Sequence, residues 1–246
     1  MRELEGAVAI VTGAARNIGR AIALELANAG AAVAVVTLSD VAGTQSVAAE
    51  IEAKAGRALA IQADITKPED AKRIVDETVQ RFGRLDILVN NAGVRPESAF
   101  EEITLEDWHR VLAVVLDGAF LCSQAAVPAL SAGGRGAIIN IGGLTAYIGA
   151  VHRAHVITAK AGLNGLTKAL AVELAPRGIT VNLVAPGLID TKRKSEDPAH
   201  RRSRTVLAGR LGQPEDIAAM VQLLAGPRGR YLTGQTIHIN GGIYLP

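Results

Sequence analysis

Val8-Ala9-Ile10-Val11-Thr12-Gly13-Ala14-Ala15-Arg16-Asn17-Ile18-Gly19-Arg20 runs an apolar strand into a glycine-bearing turn and then straight into a helix. Such a turn aims backbone N–H groups and the positive end of the helix at one point, where a pyrophosphate fits. A bare glycine pattern says little. Here the strand before and the helix after supply the context it needs. The competing reading is a tight strand-to-helix turn with no ligand.

Outward from this stretch, short β-branched runs alternate with longer amphipathic segments to the end of the chain, the pattern of repeated βαβ units. Strands are expected at 8–12, 32–36, 58–63, 87–90, 136–141, 180–185 and 236–239, and helices at 20–29, 43–55, 68–82, 105–130, 155–175 and 214–225. Pro68 and Pro214 stand in first turns, where a missing N–H costs nothing. No linker, repeat or low-complexity tract divides residues 1–246, so a single α/β domain is expected. Residues 192–210 are the exception. Their charge-rich part, 192–204 with Pro198, has no clear period and reads either as a substrate flap or as a solvated surface.

Composition agrees with this architecture. Hydrophobic residues make up 49% of the chain and aromatics 3%, so the core is built from Val, Ile, Leu and Ala, as in parallel strands covered on both faces. The 26 basic and 24 acidic residues leave a net charge of +2, without the excess expected of a nucleic-acid binder. Cys122, the only cysteine, lies in an apolar run and reads as a small core hydrophobe, compatible with a reducing compartment. Residues 1–6 do not read as a signal peptide. Apolar runs such as 29–38 stop short of the roughly 20 residues needed to span a bilayer. The expectation is a soluble cytoplasmic protein that binds neither nucleic acid nor membrane. Five scattered histidines and one cysteine offer no metal cluster, and no Gly-x-Ser-x-Gly nucleophile turn is present.

Four motifs in order then carry a resemblance over essentially the whole chain: residues 12–19, Asn90-Asn91-Ala92-Gly93, Pro186-Gly187 followed by Thr191, and Gly234-Gln235 with Asn240-Gly241-Gly242. Together they resemble the short-chain dehydrogenase/reductase family, in particular its 3-oxoacyl-acyl-carrier-protein-reductase-like members. The resemblance implies a Rossmann-type doubly wound sheet of order 3-2-1-4-5-6-7. It also implies a homotetramer or homodimer joined through residues 105–130 and 155–175. By the same resemblance, Gly13, Arg16, Asn17, Ile18 and Gly19 surround a dinucleotide's pyrophosphate and ribose, with Asn17 in place of the motif's middle glycine. Asp64 and Ile65 flank the adenine, and Asn91, Ala92 and Gly93 line the cleft. Pro186, Gly187, Ile189 and Thr191 hold the nicotinamide end.

An acidic residue at the end of the second strand would bind the adenosine ribose and repel a 2′-phosphate. Thr37-Leu38-Ser39 offers hydroxyls and no carboxylate before Asp40, and Arg16 is close in the turn, so NADP is favoured over NAD.

The family pattern also implies a catalytic tyrosine four residues before a lysine, a serine thirteen residues before that tyrosine, and a helix asparagine. With Lys160 as the lysine, those positions hold Val156, Gly143 and Val115. Losing a positioned general acid costs roughly 10²–10⁴ in rate. Losing an oxyanion donor costs roughly 10²–10³. Tyr147 and His152 are the substitute acid–base candidates. Arg95, Arg153, His152 and Lys160 would form a positive pocket for an anionic substrate, bordered by Gly143 and Val156. The alternative reading makes these loop and interface residues. Three functions stay open: an NADP-dependent oxidoreductase with a non-standard active site; a lyase, dehalogenase or isomerase on the same scaffold; and a catalytically silent dinucleotide-binding protein.

Overall fold

Val8 and Ile10 of the first strand pack into one hydrophobic layer while Ala9 and Val11 pack into the other, so the strand is buried on both faces. The computed structural model describes residues 2–191 and 205–246; residues 192–204, the heart of the expected flap, lie outside the described residues. Strands β1 (Val8–Thr12), β2 (Ala32–Thr37), β4 (Ile87–Asn90), β5 (Ala137–Ile141) and β6 (Thr180–Pro186) are buried along their whole length. The edge strands β3 (Arg57–Gln62) and β7 (Thr236–Ile239) are only partly covered. All pairings are parallel, in the expected order β3-β2-β1-β4-β5-β6-β7.

One layer sets α1 (Asn17–Asn28), α2 (Val41–Ala53) and α8 (Pro214–Ala225) against the sheet through Ile22, Leu26, Ile51 and Val221. The other uses α3 (Pro68–Phe82), α5 (Gly118–Ala132) and α7 (Ala154–Leu174) through Ile74, Leu130 and Leu174. Cys122 belongs to this second layer, as expected, and burial pushes its thiol up to about 12. Strand order reverses between β1 and β4. The loops leaving their carboxyl ends diverge there and leave the crevice in which ligands of open α/β sheets bind.

The expected helix 105–130 differs in detail. It is α4 (Leu105–Leu112), a π-helical turn over Ala113–Asp117, and then α5. A π turn carries an extra residue, so it shifts the side chains that follow relative to an uninterrupted helix. It has no apolar or proline signature that would announce it. The run Leu105–Ala132 is also long and apolar enough, by length and composition, to cross a membrane, which a search for unbroken apolar runs misses because of Asp117. In this fold Cys122, Ala126 and Leu130 from that run are core residues.

Beneath the crevice, a buried polar chain ties four elements together. The Asn90 amide donates to Ser123 Oγ at 3.1 Å and to Asn140 Oδ1 at 2.9 Å, and the Asn140 amide donates to Thr167 Oγ1 at 2.9 Å. Replacing Asn140 by Ala takes one partner each from Asn90 and Thr167, which keep Ser123 Oγ and the Leu163 carbonyl. It should lower the free energy of urea unfolding by about 2–4 kcal/mol, whereas a loss below about 1 kcal/mol would show the chain to be dispensable.

Candidate functional site

The turn after β1 is held by a side chain from the neighbouring strand. The amide of Asn91 donates to the carbonyls of Thr12 at 2.9 Å and Gly13 at 3.0 Å. In return the Thr12 hydroxyl accepts the N–H groups of Asn91 at 3.0 Å and Ala92 at 3.1 Å. The backbones are too close for side chains. A Cβ on Gly13, which sits at φ 64°, would lie 2.8 Å from Ala92 Cα, and one on Gly19 would lie 2.3 Å from the Gly13 carbonyl oxygen. Asn17 also adopts positive φ, 51°, a conformation asparagine tolerates better than most residues. Arg16 caps α1 in extended conformation with its side chain exposed.

At the end of β2, Thr37 is buried and Ser39 exposed. Asp40 is committed elsewhere: its carboxylate caps α2 by accepting the Gly43 N–H at 3.1 Å. Asp64 likewise holds a turn, accepting from the Thr66 N–H and hydroxyl at 3.0 and 2.7 Å, and Ile65 is buried in the layer that includes α5. On the far side of the crevice Gly187 passes so near Asn240 that a Cβ would come within 2.5 Å of its Cα. Pro186 accepts the Leu144 N–H, Ile189 bridges to Gly212, and the buried Thr191 hydroxyl has no hydrogen-bond partner among the described residues.

Lys160 is the buried cation of the site. Its Nζ donates to the Ile141 carbonyl. Burial, aided by the positive charge of Arg95, pulls its ammonium down to about 7. Nearby, Val111, Val115, Val156 and Ala159 form a dry cluster flanked by Val94 and Leu112. Val115 lies within the π turn, and its Cγ2 and Lys160 Nζ lie 3.7 and 3.8 Å from the point where a Gly93 Cβ would be. A Cβ on Gly143 would meet open space.

Apart from Arg95, whose charge acts on Lys160, the remaining candidates have other partners or face solvent. The Tyr147 hydroxyl donates to Thr236 Oγ1 at 3.4 Å, while its ring packs edge-on to His238 at 4.5 Å and stacks with Tyr244 at 5.9 Å. Burial pushes the Tyr147 phenol up. His152 is exposed on a turn at φ 60°, and its carbonyl accepts the Ser98 N–H. Arg153 is buried and pairs with Glu97, a partner that sequence spacing gives no means of finding. Arg95 is exposed near the crevice mouth.

The depressed Lys160 gives a pH test. Between about 7 and the ordinary lysine value near 10.5, the unfolded chain holds a proton that the folded chain has released, so stability rises with pH across that window. Below about 7 this group contributes no pH dependence. Lys160→Met should remove that rise from urea-unfolding curves measured between pH 7 and 10, and an unchanged slope would contradict the assignment.

The chain matches the family described as Enoyl-(Acyl carrier protein) reductase over residues 13–244. The 3-oxoacyl-(acyl-carrier-protein) reductase FabG of Staphylococcus aureus is 42% identical over 240 residues, covering 96% of this chain and 98% of the relative. A dehydrogenase/reductase structure from Sinorhizobium meliloti superposes with TM-score 0.93 at 42% identity, covering 99% of this chain and 97% of that one. A short chain dehydrogenase from Burkholderia cenocepacia, solved in complex with NADP, superposes with TM-score 0.92 at 39% identity, covering 98% and 99%. With that crevice, that strand order and relatives matched end to end, the chain belongs to the short-chain dehydrogenase/reductase family.

Proposed function

We propose that this chain is an NADP(H)-dependent oxidoreductase whose active site lacks the usual tyrosine and serine, and which acts on acceptors needing little acid catalysis, such as imines or activated alkenes. One observation carries the reading: the crevice is tightly built, yet Val115 and Val156 fill a dry cluster beside Lys160. The cofactor, when bound, supplies the hydride. Gly13, Asn17, Ile18 and Gly19 would hold the pyrophosphate, where no Cβ fits at either glycine. Arg16, Thr37 and Ser39 would take the 2′-phosphate, because the Asp40 carboxylate is already occupied as a helix cap. Asp64 and Ile65 would border the adenine, and Asn91, Ala92 and Gly93 the cleft wall. Pro186, Gly187, Ile189 and the Thr191 hydroxyl, unpaired among the described residues, suit the nicotinamide end. The burial of Lys160 beside Gly93 suits a ribose contact.

For an anionic substrate the positive pocket narrows. Arg153 is buried and paired with Glu97, while Arg95 is exposed and its charge acts on Lys160. The exposed apolar side chains of Leu105, Phe120 and Val172 favour assembly of a homotetramer or homodimer through residues 105–130 and 155–175. A second reading, a catalytically silent binder, draws on the same dry cluster. Lyase or isomerase chemistry through Tyr147 and His152 finds less support, since those groups point to separate surroundings.

A panel of ketones, imines and enones with NADPH separates the readings. Turnover of an imine or enone with ketones inert is expected, and inertness toward all three with NADPH bound would leave the silent binder. Gly143→Ser with Val156→Tyr should raise ketone reduction by about 10²–10⁴. No gain in a folded, NADPH-binding variant would show that more than the acid has changed.

A further inference from the structure

Lys160 is the one buried amine of the crevice, and its surroundings suit the neutral form better than the charged one. An ammonium has three N–H donors to satisfy. Among the described residues the Lys160 Nζ has one acceptor, the Ile141 carbonyl. Its neighbours Gly93 and Val115 add no carboxylate, and the charged group acting on it, Arg95, is also positive. Desolvation in an apolar pocket and a neighbouring cation are the two devices that turn a lysine into a nucleophilic amine. Both are present here.

The nitrogen also lies close to an exposed stretch of backbone. Gly93 is exposed, Nζ lies 3.8 Å from the position its Cβ would take, and Gly143, two residues beyond the Ile141 acceptor, borders open space. Val156 is withdrawn into the dry cluster, and Gly143 carries no side chain.

We propose that Lys160 is a carbonyl-reactive amine, forming an imine with small aldehydes in the cofactor-free protein. The nitrogen lone pair attacks the carbonyl carbon while the carbon–oxygen π pair moves to oxygen, which takes up a proton as the nitrogen loses one. The carbinolamine then expels water as the nitrogen lone pair forms the C=N bond, so amine and aldehyde give imine and water with no change of oxidation state. This capture needs no hydride transfer. It rests on the proposed cofactor placement only in predicting that NADPH and aldehyde exclude each other.

The test treats the full-length wild-type chain at pH 7 with propanal and cyanoborohydride, which fixes imines as stable propyl-lysine, followed by peptide mapping. Labelling at Lys160 should exceed that at the exposed Lys54 and Lys72 by about tenfold or more. Its rate should rise with a midpoint near 7, against the ordinary lysine value near 10.5. Gly93→Val, which puts a side chain over Nζ, should slow it. Labelling of Lys160 no faster than of Lys54 and Lys72, or indifferent to Gly93→Val, overturns the proposal. If Lys160 is labelled selectively and NADPH fails to protect it, the amine assignment stands and the cofactor placement fails.

Discussion

The crevice depends on the mutual grip of Thr12 and Asn91. These residues leave the carboxyl ends of β1 and β4, the two strands between which the order of the sheet reverses. Two hydrogen bonds between them, with one from Asn91 to the Gly13 carbonyl and one from the Ala92 N–H to Thr12, fix the turn after β1 against the turn after β4. Because Gly13 and Gly19 stand at the contact, backbone meets backbone with no side chain between. The first turn of α1, whose N–H groups have no acceptors within the helix, is thereby presented to the crevice, the arrangement the proposed cofactor placement uses. Each later feature of the crevice, from the helix-capping role of Asp40 to the close pass of Gly187 over Asn240, is arranged around that fixed point.

Holding a ligand and reacting with it are separable in this scaffold. The parts that hold are backbone and glycine geometry, which tolerate changes of side chain elsewhere. In the proposed reading, the parts that react are single side chains on α7, the π turn and the loop after β5. Val115, in the π turn, and Val156, on α7, are buried in one cluster, worth about 1.5–3 kcal/mol for each fully buried valine. This cluster sets Lys160 beside an apolar wall, with Arg95 near and a backbone carbonyl as its one acceptor among the described residues.

The strands and most helix starts were legible because burial on both faces forces unbroken apolar runs in the central strands, and because Pro68 and Pro214 mark first turns. The turn after β1 was legible for the same local reason. The π turn was not, since Ala113–Asp117 has the composition of ordinary helix. Long-range partners were also hidden. Glu97 neutralising Arg153, and Tyr147 packing on His238 and Tyr244, join residues 56 to nearly 100 positions apart. Such pairs decide whether a charged or phenolic group is available for chemistry, and sequence spacing does not reveal them.

The central claim is that the dinucleotide receptor is intact although its usual acid–base groups are absent. Titrating the wild-type chain with NADPH and with NADH, following the fluorescence of the nicotinamide, tests this without knowledge of the substrate. Saturable binding of one NADPH per chain, tighter than NADH, is the predicted result. Binding of neither nucleotide, or tighter binding of NADH, would contradict it.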